Sequence, residues 1–271
     1  PLRQAVASGK ISRETLDERV GEVLRVKFWL GLFDQPYRGD AARVDRIVHS
    51  EPHRQLALDA ARQSMVLLKN DSATLPLSAQ MKRVAVIGPN ADARPISRYG
   101  PAGADVVSVV DGVRQLLPQA EVVYAKGCEI RDPHYPESEV CDFEMTRDER
   151  LMMDSAVNVA RDAEAVIVVL GDDDKTVGEG NSRTTLNLPG LQEQLLREIV
   201  ATGRPVVLVL MAGRATTVNY AARHVPAIIN ACFPGEYGGQ AVAEVIFGAY
   251  NPGGRLTCTT PRTVGQIPYA F

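Results

Sequence analysis

Two kinds of hydrophobic pattern run along the chain. Between residues 11 and 33, Leu16, Val20, Val23, Leu24 and Phe28 recur at helical spacing. Ser12 is placed to cap that helix, and Gly31 and Pro36 to stop it. Residues 34–52, with Pro36, Gly39, Asp40 and Pro52, read as a polar linker. A second helix is expected from Pro52 to about Leu68, where Lys69, Asn70 and Asp71 break it. Beyond residue 80 the pattern changes. Short runs rich in Val and Ile, at 84–87, 122–124, 165–170, 206–210 and 227–231, alternate with helical stretches near 106–117, 147–162, 190–201, 215–223 and 236–247. Pro189 before a helix and Gly203 after one support these limits.

The runs show no alternation of apolar and polar positions, so both faces of each strand are expected to be buried. Such strands belong to parallel sheets covered by helices. The predicted fold is α/β, a doubly wound, mostly parallel sheet of five to six strands with helices on both faces. Ligands of such sheets sit outside the carboxyl ends of the strands, where the strand order reverses. That directs attention to two long polar loops, 88–105 and 171–189.

Composition narrows the function. The 271 residues are 45% hydrophobic and 23% charged, which excludes a disordered chain. Lys and Arg number 30 against 33 Asp and Glu, too even for a nucleic-acid surface. No apolar run is long enough to cross a membrane. Cys128, Cys141, Cys232 and Cys258 form neither a CxxC pair nor a zinc pattern and read as buried thiols. The first residues, PLRQAVASGKISRETLDERV, lack the order of a signal peptide and do not begin with Met, so the chain reads as a piece of something longer.

The first loop lacks GxGxxG spacing, and Pro89 stands where a nucleotide cradle needs an N–H. Two readings of its Arg98 and Tyr99 stand: donors and a ring face for a sugar, or packing against the neighbouring loop. In the second loop, Asp172, Asp173 and Asp174 lack the ligand spacing of a calcium loop, so no metal is expected. Glu179 differs from them. It lies between Gly178 and Gly180, where the backbone bends sharply enough to hold one carboxyl out over a cleft. A carboxyl in a partly apolar cleft suits a general acid; a solvated loop is the plainer reading. Arg183, four residues on, is placed to orient the loop by pairing with an acid. His49, His53, His134 and His224 are scattered, and Glu236 is expected to cap the helix that follows it.

Several segments, in order, resemble glycoside hydrolase family 3, the β-glucosidase and β-xylosidase family. They are KFWLGLFDQPY at 27–37, ARQSMVLLKND at 61–71, LPL at 75–77, VAVIGPNAD at 84–92, VVLGDDDKTVGEGNSR at 168–183, LNLPG at 186–190, PVVLVLMAGR at 205–214 and the stretch from FPGEYGG to residue 269. The resemblance implies a retaining exo-hydrolase acting on β-linked glycosides without a cofactor, with Glu179 as the acid/base; Arg98, Tyr99 and Arg183 are taken as the candidate substrate-binding residues beside it. It implies that residues 1–40 are the tail of a barrel domain, 41–80 a linker and helix, and 81–271 an α/β sandwich carrying the acid/base loop.

The family's nucleophile, an Asp in a Ser-Asp-Trp motif on the barrel, has no counterpart here; Trp29 is the sole tryptophan. The chain alone is therefore expected to be inactive, with the barrel domain of the same parent as its partner. Exposed Phe28, Trp29, Leu30, Leu32 and Phe33 would favour a homodimer. By resemblance the compartment is periplasmic or extracellular. A β-xylosidase and a non-catalytic sugar-binding module stand as alternatives; a nucleotide-binding module is weakened by the missing phosphate loop.

Overall fold

The computed structural model describes residues 1–37, 39–94, 100 and 105–269. The chain divides into two compact units, Pro1–His53 and Arg54–Phe271.

The first unit holds helices α1 (Leu2–Ala7), α2 (Arg13–Trp29) and α3 (Ala41–Ile47), and the start of α4 (Glu51–Ser64). Ser12 caps α2 as expected, its Oγ accepting from the Thr15 N–H at 3.0 Å. None of the residues of α2 is buried; Phe28 and Trp29 are 62% and 78% exposed. Residues 34–52 are not wholly a linker, because α3 forms within them. Asp40 caps it by accepting from the Ala42 N–H at 3.1 Å, and the short run Ala41–Ile47 was too brief for periodicity to reveal.

The second unit is a six-stranded sheet of β1 (Val66–Asn70), β2 (Arg83–Ile87), β3 (Glu121–Ala125), β4 (Ala165–Gly171), β5 (Val206–Met211) and β6 (Ala227–Asn230). The order is β1-β6-β5-β4-β2-β3, parallel except for β1, which runs antiparallel to β6. Every residue of β4 and β5 is buried, the reason those runs carry no alternation. Successive side chains still point to opposite faces. Val84, Val86, Ile167 and Val209 meet α5 (Val109–Leu116), α9 (Gly238–Ile246) and Leu58 and Ala61 of α4. Ala85, Ile87, Val168 and Leu208 meet α6 (Arg147–Arg161), α7 (Gln192–Val200) and α8 (Asn219–His224). Each layer of helices therefore covers its own hydrophobic cluster, and the sheet is doubly wound as predicted.

Local signals set the helix starts. Ser108 and Asp111 form a capping box on α5, and Thr146 and Glu149 another on α6. Across one face, Arg62 of α4 makes a paired bond to Glu244 of α9, Nε to Oε2 at 2.5 Å and Nη2 to Oε1 at 2.7 Å. Three local expectations fail. The helix from Pro52 ends at Ser64, not Leu68, because Val66–Asn70 pairs with β6 as an edge strand; a run as short as Val-Leu-Leu fits either period. Glu236 does not cap α9, which starts at Gly238 with no side-chain cap. Of the four cysteines only Cys128 is buried, and burial pushes its thiol up to about 12.

Candidate active site

The chain leaves β2, forms β3 on one side of it and returns to form β4 on the other. The strand order therefore reverses between β2 and β4, and the loops after these strands flank that crevice. Asn90 joins them: its Nδ2 donates to the Asp172 carbonyl at 3.0 Å.

The base of the second loop is a buried charged network. Asp172 is 2% exposed. Its N–H donates to the Met211 carbonyl at 2.9 Å, tying the ends of β4 and β5 together. One carboxylate oxygen accepts from Thr176 Oγ1 at 3.0 Å and faces Arg183 Nη1 at 3.5 Å; the other accepts from the Gly213 N–H at 3.2 Å. Asp173 accepts from the N–H groups of Lys175 and Thr176, each at 2.9 Å, and from Arg131 Nε at 3.0 Å. Asp172 and Asp173 thus shape the loop, through a hydroxyl bond, bonds from local and distant backbone N–H groups, and ion pairs with arginines.

Arg183 lies within the protein, its side chain 2% exposed. Its Nε is bound by Glu139, its Nη1 faces Asp172, and its Nη2 donates to the Asn187 carbonyl at 2.9 Å. The Glu139 side chain is 4% exposed and accepts from the N–H and hydroxyl of Thr184, both at 2.8 Å. Burial pushes the Glu139 carboxyl up, but the Thr184 N–H and hydroxyl and the Arg183 guanidinium together hold it below the usual carboxylate range. Arg183 therefore does what its position suggested, pairing with acids to hold the loop, and it spends its donors on protein groups. Glu139 escaped the sequence reading. It sits 44 positions from Arg183 in an otherwise featureless polar stretch.

Glu179 is at the apex, on an exposed turn with left-handed backbone on both sides, φ 105° at Gly178 and 80° at Gly180. The expected sharp bend is present. Two side chains brace its feet. Asn181 Nδ2 donates to the carbonyls of Asp174 and Val177, each at 3.0 Å. Arg214, just past β5, donates from Nη2 to the carbonyls of Thr176 at 2.6 Å and Asn181 at 3.1 Å. Gly213 makes this approach possible: a Cβ there would lie 2.6 Å from Val177 Cγ2. Arg214 also went unnoticed in the sequence, although its place at the carboxyl end of a central strand was a usable signal. Arg98 and Tyr99 lie outside the described residues.

Beside this loop, a cavity of about 580 Å³ opens at the ends of β5 and β6, between Leu210, Ala212, Arg214, Cys232, Phe233 and Leu256. Glu179 is not in its lining.

A doubly wound sheet with a braced polar loop at its topological switch is the architecture of a ligand-binding class of domains. The comparisons with known proteins specify which. The model of the glycosyl hydrolase family 3 C-terminal domain matches residues 65–271, and the chain belongs to that family. A β-xylosidase of Formosa agariphila is 36% identical over 284 residues, covering 100% of this chain and 36% of that protein. A periplasmic β-glucosidase of Salmonella typhimurium is 37% identical over 283 residues, covering 98% of this chain and 36% of its own length. Among solved structures, a β-glucosidase from Erythrobacter marinus superposes with a TM-score of 0.87 at 33% identity, covering 98% of this chain and 38% of that one. A Listeria innocua β-glucosidase in complex with isofagomine gives 0.83 at 32% identity, covering 98% and 35%. The chain thus spans little more than a third of the length of the relatives it matches.

Proposed function

We propose that this chain is the second domain of a retaining, exo-acting β-glycoside hydrolase and that Glu179 is its general acid/base. In the two-carboxyl mechanism, one carboxylate attacks the anomeric carbon while the other protonates the leaving oxygen and then activates water, the two standing about 5–5.5 Å apart. The nucleophile is assigned to a barrel domain of the same protein, with residues 1–40 as its tail. The observation that carries this reading is the place of Glu179 at the exposed apex of the loop, between two glycines. Asp172, Asp173 and Glu139 lie lower down and are engaged in holding backbone and arginine groups. Arg98 and Tyr99 are proposed to meet sugar hydroxyls, and Arg183 to hold the loop from below.

The test is kinetic. In the full-length hydrolase, Glu179→Ala should slow a glycoside with a poor leaving group by about 10²–10⁴-fold and an activated aryl glycoside far less, since only the former needs protonation. Equal losses on both would count against the assignment. The chain alone should hydrolyse aryl β-glycosides no faster than buffer; turnover abolished by Glu179→Gln would contradict the division of labour.

A β-xylosidase is the second reading, favoured by the 36% identity to the Formosa enzyme along the whole chain. The ratio of activities on matched aryl glucosides and xylosides decides between the two. We also propose a periplasmic or extracellular location, in keeping with the Salmonella relative. The exposed face around Phe28 and Trp29 is proposed to pair chains when no other domain covers it. A monomeric mass by light scattering would reject that pairing.

A further inference from the structure

We propose that Arg214 is a positioning residue for the acid/base: it ties both feet of the turn that carries Glu179 to the carboxyl end of β5. This rests on the reading of Glu179 above.

The turn is six residues long from Thr176 to Asn181, and two of its members are glycines in left-handed conformation. Glycine confers the largest backbone freedom of any residue, so such a turn does not define a carboxyl position by itself. Arg214 removes that freedom at both ends. One guanidinium nitrogen, Nη2, carries two hydrogens and donates to the carbonyls of Thr176 and Asn181, the residues that bracket the apex. Bonds from an ionised donor are stronger than neutral ones, and both acceptors belong to backbone.

The anchorage is rigid. Arg214 follows β5, every residue of which is buried, and Gly213 N–H is itself held by buried Asp172. The reach has a cost that packing alone would not explain: Arg214 Nε is buried and has no hydrogen-bond partner among the described residues. Among the described residues the side chain leaves Nε unused and places Nη2 on the loop. Arg183 acts elsewhere, on Glu139, Asp172 and Asn187. Asn181 braces the turn from within, through the carbonyls of Asp174 and Val177, and Arg214 is the side chain that ties it to β5; its loss should loosen the apex while leaving the trailing limb of the loop attached.

The test uses the full-length hydrolase with three variants, Glu179→Ala, Arg214→Met and Arg214→Lys, on a phenyl and a dinitrophenyl glycoside. A displacement of about 1 Å at a reacting group costs on the order of 100-fold. Arg214→Met should therefore lower kcat on the phenyl glycoside by about that factor with KM little changed, and spare the dinitrophenyl glycoside. Arg214→Lys, which keeps a charged donor, should recover part of the loss. A loss equal on both substrates overturns the proposal, because a merely destabilised fold lowers all activity together.

If Glu179→Ala itself shows no dependence on the leaving group, the acid/base reading fails and the proposal fails with it. If Glu179→Ala shows that dependence and Arg214→Met does not, only the positioning role fails. Hydrogen exchange on the chain supplies a reading independent of catalysis and of yield. Amides 178–181 should exchange faster in Arg214→Met, and less so in Arg214→Lys, with those of β4 and β5 unchanged; unaltered exchange at 178–181 overturns it.

Discussion

The foot and the apex of the loop after β4 are built on opposite principles. At the foot, Asp172, Glu139 and Arg183 are almost wholly buried and satisfy one another and the backbone. At the apex, Glu179 is exposed between two glycines. Buried ionised groups are costly unless paired and hydrogen-bonded, so they hold one arrangement firmly. A carboxyl on an exposed, permissive backbone contributes little to folding, and its place at the surface suits it to meet a substrate. The contrast separates residues that build a site from the one proposed to react in it.

The comparison is broken most severely at its two ends. Glu179→Ala should give the largest effect, the loss of about 10²–10⁴-fold on poor leaving groups. Its effect on stability should stay within about 0.5 kcal/mol, as for other exposed positions, by denaturant unfolding of the chain. Arg183→Met should do the reverse to the fold. It strands two buried carboxylates, Glu139 and Asp172, and should cost roughly 3–5 kcal/mol. A cost near zero would mean that the foot is not a coupled network.

Acid should weaken the foot without mutation. The folded Glu139 carboxyl lies below its usual value of 4.5. Its contribution is therefore complete above the unfolded carboxylate range and is lost as pH falls through the folded value. Glu244, held low by Arg62 against the upward push of burial, has the same sign. Stability should fall on acidification below about pH 4.5, and Glu139→Gln should flatten part of that slope. Gly213→Ala should cost less than Arg183→Met, about 1–3 kcal/mol from overpacking, because the new methyl meets Val177 Cγ2 at 2.6 Å and Phe233 Cε2 at 2.8 Å.

Much of the fold was legible because the central strands are extreme. Ala165–Gly171 and Val206–Met211 are buried on both faces, and nothing but an unbroken apolar run satisfies that environment. The edge was less legible. Val66–Asn70 is a strand only because β6 offers an antiparallel partner, a tertiary fact that the local pattern does not contain. At the site, the Gly-Glu-Gly triplet announced an exposed carboxyl through backbone chemistry alone. The braces were hidden for a physical reason: Glu139 lies 44 positions from Arg183, and Arg214 lies 38 from Thr176. Charged residues at such distances look like solvated surface until the fold brings them together. Their pairing is what holds the backbone of the loop.

The most direct measurement of the central claim is the product formed by the full-length Glu179→Ala enzyme from an activated β-glycoside in the presence of azide. With the acid/base removed and the nucleophile intact, azide should intercept the glycosyl-enzyme, raise the turnover rate and yield the β-glycosyl azide. No acceleration together with no glycosyl azide, while the variant is folded and still cleaves the substrate, would contradict the assignment of Glu179.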